Sequence, residues 1–321
     1  MLILAADIGG TNLRAALVSD EGTIVEQRIA PNPGGAAAEV TGAIVALMAG
    51  VLAVAPERPV AASLAIAGLV DADGGRVLVS PNIPAFRDTP VAGIVAEALD
   101  LPTYIENDAS AAALGEHRFG AGRGLRHLLH LTLGTGIGGG IVIGGHLYRG
   151  AGGIAGEIGH TVIDPAGPAC NCGSRGCLEA VVSGVAFARR ALALANSGRA
   201  PILAGLIAGR EPDASDLLEA ARRGDTVAEA EIRHGGHVLG LGIGSAVNLL
   251  NPEAVTLSGG LLAMGEMLLD SLRAGMRSLA YGPAARTPVL LSELGGDTGI
   301  LGAAAVAIER IEDGVSASAS G

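Results

Sequence analysis

The order strand, glycine turn, strand, glycine turn, strand occurs twice in this chain, and it constrains the fold more than any other feature. The first copy starts with the apolar run 2–8, turns at Gly9-Gly10-Thr11 and returns over Leu13–Val18. It turns again at Asp20-Glu21-Gly22 into Thr23–Ile29. The second copy runs over His127–Leu133, turns at Gly134-Thr135-Gly136 and returns over Gly138–Ile143. Gly144-Gly145 then lead into His146–Arg149. Each copy reads as a β-meander. Two such units, beginning at residues 2 and 127, point to a duplicated architecture.

The remaining pattern alternates helices with short strands, which is the signature of an α/β fold. Helices are predicted over 36–54, 90–100 and 109–119, and strands over 60–66 and 103–106. Beyond residue 177 the chain reads as mostly helical, over 178–197, 214–224, 226–250 and 261–280. Short strands interrupt it at 255–257 and 289–291, and a last helix is expected near 299–311. The length of 321 residues suits two domains. We place them at 1–115 and 116–298, with the last helix packing back on the first and a disordered tail over 312–321.

Composition removes several functions. Hydrophobic residues make up 49% of the chain and aromatics only 2%, so the core is built from Ala, Val, Leu and Ile. All 21 basic residues are Arg. Schiff-base chemistry on a lysine and a P-loop lysine are therefore excluded. No Gly-x-Gly-x-x-Gly opens a helix after a strand, which removes a Rossmann site. A net charge of −11 without a basic stripe argues against nucleic acid as the partner. The N-terminus meets Asp7 too soon for a signal peptide, and no apolar run is long enough to span a bilayer. A cytoplasmic protein with no membrane partner is expected.

Three strand ends carry glycine turns that can meet an anion. They are Asp7-Ile8-Gly9-Gly10-Thr11, Gly134-Thr135-Gly136 and Ser258-Gly259-Gly260. Glycine allows close backbone approach, and threonine adds a donor. Asp7 could hold Mg²⁺, which takes carboxylates together with phosphate oxygens. Taken singly, each turn reads as a hairpin; Asp7 and the threefold recurrence favour a phosphate cradle instead.

All three cysteines fall within eight positions, at Cys170, Cys172 and Cys177, with His160 ten residues upstream. Three thiolates and an imidazole complete a tetrahedral zinc set and leave no position for water. Such a site is structural, so the chemistry falls to its neighbours. Glu157 and Glu179 are candidate acceptors for sugar hydroxyls, or else a solvent-facing side chain and a helix-start carboxylate. The free nitrogen of His160 could donate to a ligand or to a supporting group. Asn82 is either a turn residue or a further contact. Glu106-Asn107-Asp108 end a strand where a helix begins. One of Asn107 and Asp108 can cap that helix, and Asp108 is the candidate general base.

These motifs together resemble the ROK family of bacterial sugar kinases, in order and through nearly the whole chain. The segments are Asp7-Ile-Gly-Gly-Thr11, Glu106-Asn-Asp-Ala109, Leu133-Gly-Thr-Gly-Ile-Gly-Gly-Gly140, Gly156-Glu-Ile-Gly-His160 and Cys170–Glu179. The similarity is greatest to its glucokinases. It implies the actin-like ATPase (ribonuclease H-like) fold, two α/β domains with a central cleft. It implies transfer of the ATP γ-phosphate to the 6-hydroxyl of a hexose, glucose first, with Asp108 as base. Gly68, Asn82, Asn107, Asp108, Glu157, His160 and Glu179 would bind sugar. Asp7, Gly9, Gly10, Thr11, Asn12, Gly134, Thr135, Gly259 and Gly260 would meet ATP and Mg²⁺. His160, Cys170, Cys172 and Cys177 would hold structural Zn²⁺.

One position departs from the family pattern. Asn12 stands where many members have Lys, and Arg14 is the nearest cation that could compensate. A homodimer or homotetramer is expected from the family. Alternatives within it are kinases of mannose, fructose, N-acetylglucosamine or N-acetylmannosamine, and the use of polyphosphate as donor. A sugar-responsive repressor needs a DNA-binding segment ahead of the Asp7 strand, for which no room is expected here. A non-catalytic sugar-binding regulator is the remaining alternative.

Overall fold

The computed structural model describes residues 1–319, with side chains through 314. The first meander is β1 (Leu2–Ile8), β2 (Asn12–Ser19) and β3 (Ile24–Pro31), followed by α1 (Ala37–Leu52). Next come β4 (Ala61–Ile66), β5 (Leu69–Asp71), β6 (Arg76–Val79), β7 (Arg87–Thr89) and α2 (Val91–Leu99). β8 (Thr103–Asn107) runs straight into α3 (Asp108–Phe119). The second meander is β9 (Leu128–Leu133), β10 (Ile137–Ile143) and β11 (His146–Leu147). The helices α4 (Leu178–Val181), α5 (Gly184–Asn196), α6 (Pro201–Leu206), α7 (Ala214–Arg222) and α8 (Thr226–Leu250) follow. The chain ends with β12 (Ala254–Ser258), α9 (Glu266–Leu279), β13 (Val289–Leu291) and α10 (Thr298–Ala319).

The duplication is real. One sheet has the order β3-β2-β1-β4-β8 and the other β11-β10-β9-β12-β13. In each, a three-stranded meander is extended from its first strand by two later strands. Among the described residues, no helix is long and apolar enough to cross a membrane.

The chain divides into two compact units. The first holds Met1–His130, Gly140–Gly156 and the chain from Ser292 onward. The second holds Leu131–Gly139 and Glu157–Leu291. A boundary near 115 falls inside α3, and the first unit continues to His130. The expected tail 312–321 is helical through Ala319 as the end of α10. Residues 320–321 lie outside the described ones.

In the first unit, β1 shows how alternation builds two cores around one sheet. Leu4, Ala6 and Ile8 pack with Val40, Ile44 and Met48 of α1 and with Val95 of α2. Ile3 and Ala5 pack on the other face with Leu114 of α3 and Ile300, Ala304 and Ile308 of α10. Asp7 belongs to this second series. Its carboxylate lies against the first turn of α10, where a Cβ on Gly299 would come within 2.6 Å of it.

β1, β4 and β8 are parallel, with Ile8 paired to Ile66 and Ile66 paired to Asn107. Their carboxyl ends are therefore level. In open α/β sheets this edge is where ligands bind. Small residues also let α3 and α10 approach closely, since a Cβ on Gly115 would stand 2.9 Å from Gly302 Cα.

In the second unit, α8 and α9 touch through glycine. A Cβ on Gly240 would lie 2.0 Å from the Leu272 carbonyl oxygen, and one on Gly236 2.3 Å from that of Leu268. This accounts for a long helix rich in a poor helix former.

Two predicted elements differ in detail. The helix expected over 178–197 is two, because Val182 is extended and Ser183 caps α5 by accepting from the Ala186 amide at 3.1 Å. The helix expected over 261–280 begins as a 3₁₀ turn, and Gly265 at φ +60° separates it from α9. The small sheet β5-β6-β7 and the one-and-a-half-turn α6 are additions.

Candidate active-site residues

In the first unit, the level strand ends gather one group. Asn107 caps α3: its Oδ1 accepts from the amides of Ala109 at 2.9 Å and Ser110 at 3.0 Å. Its Nδ2 donates to the Gly68 carbonyl at 2.9 Å, and its side chain also supports Asp108. Asn107 is thus the cap, and Asp108 is the carboxylate held beside it. Asp108 accepts from the Ala109 amide at 2.9 Å. Burial pushes its carboxyl above the usual range, against the opposing pull of those hydrogen bonds.

Asp7 is near enough to feel Asp108. Its pKa is pushed up to about 6, first by burial and then by the Asp108 charge, with Arg14 pulling the other way. Two carboxylates at one strand edge repel when both are ionised, and a divalent cation would relieve that repulsion.

The turn after β1 is tied down by a residue that sequence reasoning passed over. Gly9 N–H donates to the Asn12 carbonyl at 3.0 Å, closing the turn. Asn32 donates from its Nδ2 to the Gly9 carbonyl at 2.8 Å and from its amide to the Thr11 carbonyl at 2.8 Å. Between Pro31 and Pro33, Asn32 carries only the sign of a loop residue. Gly10 lies against Asn82, whose carbonyl oxygen would be 2.8 Å from an added Cβ. Asn82 therefore sits beside the Gly9–Thr11 turn. The Ser80 hydroxyl fixes this loop by donating to the Ala67 carbonyl at 2.5 Å. Gly68 adopts φ +138°, and a Cβ there would meet the Val79 carbonyl at 2.5 Å.

Arg14 does not turn to Asn12. It donates to the Gly296 carbonyl and pairs with Asp297 Oδ1 at 2.6 Å, just ahead of α10.

The second unit holds the other group. The donor atoms of His160, Cys170, Cys172 and Cys177 all lie within 4.8 Å of one another. Cys170 Sγ is 3.6 Å from His160 Nδ1, and Cys172 Sγ is 3.6 Å from Cys177 Sγ. Four ligands about 2.3 Å from a tetrahedral zinc stand about 3.8 Å apart, so this set fits the ion. His160 uses its two nitrogens differently: Nδ1 faces the thiols and Nε2 faces Glu157 Oε2 at 3.8 Å. Both His160 and Glu157 are exposed.

Glu179 lies in the first turn of α4, two residues after Cys177, and reaches the Gly134–Gly136 turn. Its Oε2 accepts from the Ile137 amide at 2.9 Å, and a Cβ on Gly136 would lie 2.2 Å from it. That turn is also pinned to α5: Gly184 N–H donates to the Gly134 carbonyl at 2.9 Å, and Val185 N–H to that of Thr135 at 3.3 Å. Gly259, at φ +102°, packs on the end of β9, where a Cβ would meet the Leu133 carbonyl at 2.3 Å. Gly260 follows at the start of the 3₁₀ turn.

The predicted residues thus fall into two groups. Asp7, Gly9–Asn12, Gly68, Asn82, Asn107 and Asp108 belong to the first unit. Gly134, Thr135, Glu157, His160, the three cysteines, Glu179, Gly259 and Gly260 belong to the second.

Known proteins resemble this chain across nearly their whole length. The glucokinase of Thermotoga maritima is 37% identical over 318 residues, covering 96% of this chain and 98% of its own. That of Streptomyces coelicolor is 38% identical over 315 residues, with the same coverage. The crystal structure of a ROK family glucokinase from Streptomyces griseus, in complex with glucose and AMPPNP, superposes with a TM-score of 0.82. It is 39% identical, and the match covers 95% of this chain and 99% of that one. The ROK family model matches residues 3–310, and the chain belongs to the ROK family.

Proposed function

We propose that this protein is an ATP-dependent glucokinase, moving the γ-phosphate of ATP to the 6-hydroxyl of glucose. The observation that carries the mechanism is the division of labour at the β8–α3 junction. Asn107 takes the helix cap, which leaves the Asp108 carboxylate for chemistry. Asp108 takes the hydroxyl proton as that oxygen attacks phosphorus. Its raised pKa suits a base, because proton affinity closer to the working pH favours transfer. Gly9–Asn12, Gly134, Thr135, Gly259 and Gly260 meet the nucleotide through close backbone approach. Gly68, Asn82, Asn107, Glu157, His160 and Glu179 orient the sugar.

Asp7 would hold Mg²⁺, which when bound neutralises charge on the phosphates. The raised pKa of Asp7 beside Asp108 supports that assignment. His160, Cys170, Cys172 and Cys177 would hold Zn²⁺, which when bound ties the chain around Glu157 and Glu179 into one piece. We take the protein to be cytoplasmic and homo-oligomeric, with small molecules rather than nucleic acid or membrane as partners. The net charge of −11 supports the exclusion of nucleic acid.

The test is purified protein with ATP, Mg²⁺ and a panel of glucose, mannose, fructose, N-acetylglucosamine and N-acetylmannosamine. Polyphosphate serves as a second donor. Glucose 6-phosphate is the expected main product, and no sugar phosphate from any pair would overturn the kinase reading. Asp108→Asn should lower kcat by about 10²–10⁴-fold while glucose still binds. A wild-type rate in that variant removes Asp108 as the base.

A further inference from the structure

Arg149, itself 21% exposed, joins two buried carboxylates in an ion-pair bridge that the proposed kinase chemistry does not use. Its Nε donates to Glu106 Oε2 at 2.6 Å and its Nη2 to Glu309 Oε2 at 3.0 Å. Glu106 is 2% exposed and Glu309 7%. The other oxygen of each carboxylate is also engaged: Glu106 Oε1 accepts from the Asn107 amide at 3.0 Å, and Glu309 Oε1 from the Leu147 amide at 2.9 Å. The bridge therefore runs from α10, through the guanidinium, to the backbone of the residue that precedes Asp108.

Stability alone is a weak reason for such a bridge. Taking two carboxylates and a guanidinium out of water costs about as much as their attraction returns. A planar guanidinium with donors in a fixed fork sets position instead. Asn107 is the residue it sets. That residue's amide is held by Glu106, its Oδ1 caps α3, its Nδ2 holds Gly68, and its side chain supports Asp108.

We propose that Arg149 is a positioning residue for phosphoryl transfer. It clamps Glu106 against Glu309, so fixing Asn107 and through it the Asp108 carboxylate. This rests on the reading of Asp108 as the base. A general base misplaced by about 1 Å can lose 10²-fold in rate, so the clamp has catalytic leverage without touching substrate.

The test compares Arg149→Lys, Arg149→Met and the double variant Arg149→Met/Glu309→Gln, with Asp108→Asn as reference. Arg149→Met leaves two buried carboxylates facing each other and is at risk of not folding. The double variant removes one of those charges and keeps the measurement possible. Expected is a kcat about 10²-fold below wild type in the double variant, with native circular dichroism and KM for ATP within about twofold. Arg149→Lys should recover at least about tenfold of that loss, since it keeps a cation at the bridge.

A double variant that folds and turns over at the wild-type rate overturns the proposal. So does a loss confined to KM for ATP, or an Arg149→Lys no better than the double variant. Wild-type turnover in Asp108→Asn would instead overturn the base assignment, leaving the two failures distinguishable.

Discussion

The Glu179 carboxylate accepts a hydrogen bond from the Ile137 amide at 2.9 Å. The link joins the cysteine segment, two residues away at Cys177, to the turn Gly134–Gly136. A proposed sugar ligand and a proposed phosphate cradle are thereby held in one local structure.

Gly136→Ala tests this link. The added methyl would stand 2.2 Å from Glu179 Oε2, so the carboxylate must swing away. That movement belongs to the end of a flexible side chain, and stability should change by less than about 1 kcal/mol. The expected kinetic result is a raised KM for glucose with a smaller change in KM for ATP. Unchanged constants would separate Glu179 from the sugar.

Metal content is the second test. Freshly purified protein should contain one zinc per chain, and Cys177→Ser should contain none. Loss of the ion should lower the melting temperature and weaken glucose binding, because His160 serves the cluster through Nδ1 and faces Glu157 through Nε2. Calorimetric titration with glucose before and after chelation measures both effects.

A third prediction follows from Asp7. Its carboxyl is raised from an ordinary 3.8 to about 6 in the folded protein. The folded state therefore binds a proton more tightly than the unfolded one. Between about pH 4 and 6 this group makes the metal-free protein less stable as pH rises. Asp7→Asn should then stabilise the metal-free protein at pH 8, by at most about 3 kcal/mol, and by only about 0.5 kcal/mol at pH 4. Melting temperatures of both proteins across that range check the sign. The same variant should lose kinase activity, exchanging function for stability.

The fourth concerns the glycines of helices. Gly240→Ala places a methyl 2.0 Å from the Leu272 carbonyl and should force α8 and α9 apart, at a cost of about 2–4 kcal/mol. Gly42→Ala, in the exposed middle of α1 with open space around it, should instead stabilise by about 0.5–1 kcal/mol. Urea denaturation distinguishes the two; equal effects would mean that α8 and α9 are not in close contact.

Much of the fold and of the candidate site is legible in the sequence. The meanders show because apolar runs and glycine turns are local signals, and the Cys/His cluster because its four donor residues lie within 18 residues of sequence. Asp108 is legible as the candidate base, but which of Asn107 and Asp108 caps the helix is not, since that needs the direction of the Asn107 side chain. Arg149 was not legible at all: its partners lie 43 positions before it and 160 after it. Asn32, Gly299 and the glycines of α8 act through close approach to distant segments, for which a single sequence has no marker. The sheet β5-β6-β7 was missed because its strands are three or four residues long, too short to show a period.

The level ends of β1, β4 and β8 also fix a reading frame. Ile66 faces Asn107 because β8 pairs residue for residue from Thr103 opposite Ala62. Deleting Thr103 or Tyr104 alone would leave composition, charge and hydrophobic content almost untouched. It would nonetheless turn every later side chain of β8 to the opposite face of the sheet. Ile105 would leave its core, and Glu106 would point away from the Arg149 guanidinium. A one-residue length change there would be read by the fold as a frameshift, whereas the same change in the exposed stretch 33–36 before α1 would pass as ordinary variation.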